Sequence, residues 1–174
     1  MASTAIDFLV RPDSGIKSPQ DLKGKVVGVN VPTSLVTYFA RSMLKAVGLE
    51  PDRDVTLVNV KGAGPGATAL ENHVVDCTWS SPPLSSRLEL EGRGRVISSS
   101  SDAFPGMQQS VFYSTTDFIA ANENVVERFL DSVNKAQAFV RNEPDEAAKI
   151  YAEFLDINGD VAKATVRRLA PSFR

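Results

Sequence analysis

Cysteine and histidine are nearly absent from this 174-residue chain: Cys77 and His73 occur once each. A single cysteine excludes an intrachain disulfide and any cysteine-rich metal centre. A single histidine removes the usual zinc ligand sets and leaves a histidine-centred hydrolase resting on one residue. His73 and Cys77 are close in sequence, but the chain between them turns from helix to strand. A Cys/His nucleophilic pair also needs a third, orienting group, and none stands nearby. His73 therefore reads as a solvated helix-end residue and Cys77 as a small buried one. No catalytic residue, metal or cofactor is expected. No apolar run approaches the roughly 18 residues that span a bilayer. Met1-Ala-Ser-Thr-Ala5 lacks the basic and apolar regions of a signal peptide, which leaves either a cytosolic chain or one whose export signal has been removed. Lys and Arg number 19 against 21 Asp and Glu, a net charge of −2, so no bulk attraction to nucleic acid or acidic membrane is expected.

What is present is ordinary for a soluble globular protein, with 43% hydrophobic and 23% charged residues, enough for one domain or two small lobes around a cleft. Ala5–Val10 reads as a first strand, ended by the turn residues Arg11–Gly15. Ser18 caps a single helical turn with Pro19 at its first position. Lys25–Val29 is apolar and β-branched, and its core Val26–Val29 reads as a short buried strand. It hands over through a tight turn to a helix over Ser34–Val47, with Leu35, Phe39, Met43 and Val47 on one stripe, Tyr38 and Leu44 beside it, and Gly48 as its stop. Strand Val55–Val60, helix Ala67–Glu71, strand Val74–Trp79, helix Leu84–Glu91 and strand Arg95–Ile97 follow. This alternation predicts an α/β unit with a mainly parallel sheet. Beyond it, Ser98–Ser101 and Asp102–Gly106 read as loop and Gln109–Ser114 as an alternating strand. Glu123–Asn142 is one long helix with Val126, Phe129, Leu130, Val133 and Ala136 toward the core. Pro144 opens a second, carrying Ala147, Ile150, Tyr151 and Phe154, and Asp160–Leu169 reads as a third.

Several of these pieces, in this order, resemble the substrate-binding proteins of the nitrate, sulfonate, taurine and thiamine-precursor ABC importers. They are Ile16–Val29, the Thr33-Ser34 helix start, Lys45–Leu49, Ala69–Cys77, Pro82-Pro83, Gly94–Val96, Asp117-Phe118 and Asn142–Ala148. The resemblance implies a periplasmic-binding-protein-like fold, two α/β lobes joined by a hinge with the ligand closed between them. It makes 24–103 one complete lobe, and 1–23 with 104–174 an incomplete, helix-rich part of the other. The family's opening strands and helices have no counterpart here. That predicts an exposed sheet edge and apolar surface, and with them a homodimer formed through the incomplete lobe.

The resemblance also implies a function: capture of a small anionic or polar organic molecule, of the sulfonate, nitrate, carboxylate or pyrimidine class, and delivery to an ABC permease outside the cytoplasm. A ligand-sensing domain coupled to a partner, or an enzyme like the thiamine-pyrimidine synthases, stand as alternatives. The enzyme fits poorly, because that class carries a cysteine-rich motif and a substrate-providing histidine. Thr33 and Ser34 are the first ligand candidates, since a helix N-terminus beside small hydroxyls favours an anion, although the same residues serve as an ordinary cap. Gly64, within Gly62–Gly66, lies in a second strand-to-helix turn where a ligand can approach the backbone. That turn lacks the Lys-Ser/Thr ending of a P-loop and the spacing of a dinucleotide fingerprint. Trp79, Ser80 and Ser81 fall at the end of a strand, where open α/β sheets bind ligands, and Trp79 offers a stacking face. Asp76 reads as a turn cap. Arg87, Arg93 and Arg95, offset by Glu89 and Glu91, read as a solvated face, with an arginine clamp on an anion as the alternative.

Overall fold

A computed structural model describes residues 6–100, 104 and 111–173. They fall into two compact units, Ala5–Pro105 and a helical one that includes Gly106–Arg174.

In the first unit, five strands form one sheet in the order β3-β2-β4-β1-β5. They are β1 (Asp7–Val10), β2 (Val26–Val29), β3 (Thr56–Asn59), β4 (Cys77–Ser80) and β5 (Arg95–Ser99). β2 pairs in parallel with β3 and β4, whereas β1 runs antiparallel between β4 and β5. Four strands thus point one way and β1 points the other. Residues 7–10, grouped from sequence with 104–174, here hold β4 and β5 together, with Asp7 opposite Ser80 on one side and Ser99 on the other.

Side-chain alternation along β1 separates two cores. Phe8 and Val10 join Val27, Val29 and Cys77 under helix α1 (Leu35–Ala46), with Phe39, Ala40, Met43 and Leu44 buried against them. Leu9 faces the other way, onto Ala67 and Leu70 of α2 (Ala63–Glu71) and Leu88 of α3 (Leu84–Leu90). Full burial of such side chains contributes roughly 1.5–3 kcal/mol each. The sheet is therefore covered on both faces, and its connections cross in opposite directions. The β2–α1–β3 crossover runs outward over one face, while β3–α2–β4 and β4–α3–β5 run back over the other.

Local chemistry sets the element ends. Ser18 and Asp21 form a capping box around the 3-10 turn Pro19–Leu22. Gly48, at φ +80°, closes α1 with the N–H of Leu49 donating to the Leu44 carbonyl at 3.0 Å. The strand expected from Val74 starts only at Cys77. His73 takes a left-handed φ of 59°, and the N–H groups of Val74 and Val75 turn back to Ala69. Helix α2 begins earlier than expected, with Gly62 as its N-cap, and β5 extends through Ser98 and Ser99. The expected loop at 102–106 lies outside the described residues except for Phe104.

The helical unit comprises α4 (Thr116–Ala121), α5 (Glu123–Asn142), α6 (Pro144–Leu155) and α7 (Gly159–Leu169). No strand forms over residues 111–114 of the expected Gln109–Ser114 strand; its first two residues lie outside the described set. Helices α6 and α7 pack through Ala147, Ala148 and Val166, with Val140 and Tyr151 beside them. The larger apolar residues expected in this core are exposed: Phe129, Leu130, Ile150 and Phe154, the last 82% accessible, together with Ala136. Helical periodicity marks an apolar stripe. It does not say which flank of the stripe meets a neighbour, and here the small residues do.

Candidate functional site

The reversal of crossover direction places a crevice at the carboxyl ends of β2 and β4. The loop after β2 leaves over one face of the sheet and the loop after β4 over the other, and such switch points are where open α/β sheets hold ligands. Thr33 and Ser34 follow β2 at this edge, Gly64 follows β3, and Trp79, Ser80 and Ser81 close β4. All six expected residues thus stand at one edge, divided between its two faces.

On the α1 face, Ser34 is the N-cap. Its Oγ accepts the Thr37 N–H at 3.2 Å, and its hydroxyl donates to Thr37 Oγ1 at 3.1 Å. Thr37 is buried, and its own hydroxyl donates to the carbonyls of Asn30 and Val31 at 3.0 and 2.9 Å, tying the loop to the helix. The Ser34 hydroxyl is therefore committed to the cap. The exposed Thr33 hydroxyl and the first-turn N–H groups of Leu35 and Val36, which have no intrahelical acceptor, are the donors an anion would meet. Trp79 packs against the same core, half-buried.

On the other face, α2 opens at Gly62 without a side-chain cap, and a Cβ added at Gly64 would meet no atom within 4 Å, so the backbone there is open to approach. Ser80 is fully buried, as are Ser85 and Ser86 in the first turn of α3. Their hydroxyls and the Trp79 indole N–H have no hydrogen-bond partner among the described residues. A buried polar atom left unpaired costs about 1–3 kcal/mol, so a concentration of them at one edge asks for a reason.

Three residues that bear on this edge were missed from sequence. Thr37 was recoverable from the Ser34-x-x-Thr37 spacing, a side chain one turn after a cap. Asp7, fully buried opposite Ser80, was marked by a lone carboxylate in the apolar Ala5–Val10 run. Tyr38, placed near the core stripe by periodicity, has its ring exposed just beyond Ser34.

The remaining candidates lie elsewhere. Asp76 precedes β4 at the opposite edge, where its carboxylate accepts the Val26 N–H at 2.9 Å and fixes the β2–β4 pairing. His73, Arg93, Glu71, Arg11 and Asp13 line a surface depression of about 410 Å³ on that far side. Arg93 is ion-paired there with Glu71 and Glu91 at 2.5 and 2.6 Å. Arg87 lies 3.9 Å from Glu91, and Arg95 donates to the Ile16 carbonyl. Cys77 is wholly buried, and burial, with the charge of Asp76 adding to it, pushes its thiol pKa far above the ordinary range, so it is held as an unreactive thiol. Among the described residues no helix is long and apolar enough to cross a membrane.

Known proteins share both the sequence and the architecture. A Bacillus subtilis (strain 168) protein named for binding aliphatic sulfonates is 30% identical over 166 residues, 94% of this chain and 48% of that protein. The chain spans about half the length of the curated relatives it matches. The periplasmic aliphatic sulphonate binding protein SsuA of Escherichia coli superposes with a TM-score of 0.79 at 20% identity, over 97% of this chain and 56% of that one. The desulfurization enzyme DszB has the same fold, with a TM-score of 0.67 at 16% identity over 99% of this chain and 68% of its own. None of these comparisons supports the expected homodimer. The sequence model described as NMT1/THI5 like matches residues 1–147, and with the periplasmic-binding-protein architecture built above it shows that this chain belongs to that family.

Proposed function

We infer that this chain is the solute-capturing part of an ABC importer and that it takes a small oxyanion-bearing organic molecule at the β2/β4 crevice. The observation that carries the reading is the reversal of crossover direction at those two strands, at whose ends the Thr33 hydroxyl and the α1 N-terminus stand. Capture needs donors without a nucleophile. The crevice edge offers hydroxyls and backbone N–H groups, while the single cysteine is sealed in the core. An oxyanion there meets the positive end of a 12-residue helix. Relatives named for sulfonates favour sulfonates over carboxylates and pyrimidines, and their periplasmic setting favours delivery to a permease outside the cytoplasm.

The fold also carries an enzyme, DszB, and turnover is the second reading. The two are separated by titrating the chain with methanesulfonate in a calorimeter and analysing the recovered solute by mass spectrometry. Saturable binding that is lost in Thr33→Ala/Ser34→Ala, with the solute recovered intact, is expected. Binding that survives that double substitution removes the site. A chemically altered solute replaces capture with catalysis.

A further inference from the structure

The helix edge beside Ser34 is apolar, and capture of an oxyanion alone makes no use of it. Tyr38 lies one turn beyond Ser34, with its N–H donating to the Ser34 carbonyl at 3.1 Å, and 55% of it is accessible. Phe8 and Phe39, the other large rings of this face, are buried. The Tyr38 ring is nevertheless held. It meets Phe39 edge-on with centroids 5.9 Å apart and Phe104 at 6.3 Å, and those two rings sit 5.0 Å from each other. Leu35 and Val31 are also uncovered and carry the apolar surface back to the loop that bears Thr33. From Val29 to Ala40 there is no charged side chain.

A braced, uncharged aromatic surface continuous with hydroxyl and N–H donors suits a ligand with two ends. One end is an oxyanion; the other is a flat or hydrocarbon body that displaces water from the ring at little conformational cost. A bare ion such as nitrate would reach the donors and leave the apolar edge wet.

We propose that Tyr38, with Leu35 and Val31, forms the specificity wall of the capture site, and that its solute is an organic oxyacid with an aromatic or hydrocarbon body. The proposal rests on the oxyanion-capture reading above. It is tested by calorimetric titration of the full chain with benzenesulfonate, methanesulfonate and nitrate, for the wild type, Tyr38→Phe, Tyr38→Ala and Leu35→Ala, each checked by circular dichroism for an unchanged fold. Benzenesulfonate is expected to bind about tenfold or more tightly than the other two probes. Tyr38→Phe keeps that preference. Tyr38→Ala and Leu35→Ala reduce it while methanesulfonate affinity stays unchanged. Equal affinities in the wild type, or a Tyr38→Ala loss shared by all three probes, overturn the wall and leave oxyanion capture standing. A Tyr38→Ala chain that keeps its benzenesulfonate affinity but changes its sedimentation assigns the edge to a second copy and also overturns the wall. Failure of all three probes to bind the wild type overturns the capture reading itself.

Discussion

Ser34→Asp separates the two duties of the α1 N-terminus. As a cap, Ser34 accepts the Thr37 N–H at 3.2 Å. An Asp carboxylate accepts the same N–H and complements the positive end of the helix, so the roughly 1 kcal/mol that a cap contributes is kept. Ser34→Ala loses about that amount. As part of an anion site, the same Asp places a negative charge beside the ligand's own. Two like charges about 4 Å apart repel by about 4 kcal/mol at an effective dielectric near 20. Halving that for solvent exposure and salt still leaves about 2 kcal/mol, or roughly thirtyfold in affinity. Urea denaturation and calorimetry with methanesulfonate read the two effects apart. Ser34→Asp should keep the wild-type urea midpoint and lose about thirtyfold or more in binding. Ser34→Ala should lower the midpoint and weaken binding only a few fold. A Ser34→Asp chain that binds the sulfonate as tightly as wild type would refute an anion site at this helix start.

Two further perturbations test the scaffold. Gly66→Ala introduces a Cβ only 2.5 Å from Thr78 Oγ1 and 3.0 Å from Val60 Cγ2, inside the α2–β4 contact. Alanine adds up to about 1 kcal/mol of helix propensity, but overpacking costs about 1–3 kcal/mol, so a lower urea midpoint is expected and a raised one would contradict the close approach. The Asp21 carboxylate accepts N–H bonds from Lys17 and Ser18 at 2.9 and 3.0 Å and the Ser18 hydroxyl at 3.1 Å. These bonds, the one from Lys17 foremost, hold its pKa below the ordinary carboxylate value. A depressed pKa contributes stability above the unfolded value that is lost as pH falls through the folded one. Asp21→Asn should therefore flatten the decline of the urea midpoint below about pH 4; an acid limb as steep as wild type would show that the capping box carries no such linkage.

Local chemistry made much of this fold legible. The strand Val26–Val29, the Ser18 and Ser34 caps, the Gly48 stop and the helices 123–142, 144–155 and 159–169 follow from residue types acting on their neighbours. Their cause lies within a turn or two of the chain, where a sequence can be read directly. Strand β1 was recognised as a strand, but its place in the sheet depends on Ser80 and Ser99, far along the chain, and no local pattern reports that pairing. Phe129 and Phe154 show the same gap in the helical unit: their spacing is helical, yet the face that packs is set by Ala147 and Ala148. At the crevice, Thr33, Ser34 and Trp79 were legible because they end or begin elements. Tyr38 was not, because α1 is rotated so that Val36, Thr37 and Ala40 are buried and Tyr38 turns outward.

The position of β1 also governs how the sheet is assembled. Its ladder with β5 joins residues about ninety positions apart, so the piece of chain synthesised first has no second neighbour until Ser99 has emerged. Before then β4 and β5 are two strands pointing the same way with a strand-wide gap between them. A fragment begun at Gly24 would keep that gap permanently and carry its open edges into any tube at working concentration. A self-sufficient fragment bearing the crevice must therefore begin before Asp7, and a cleavage site inserted anywhere from Arg11 to Lys23 would cut away the strand that makes one sheet of two halves.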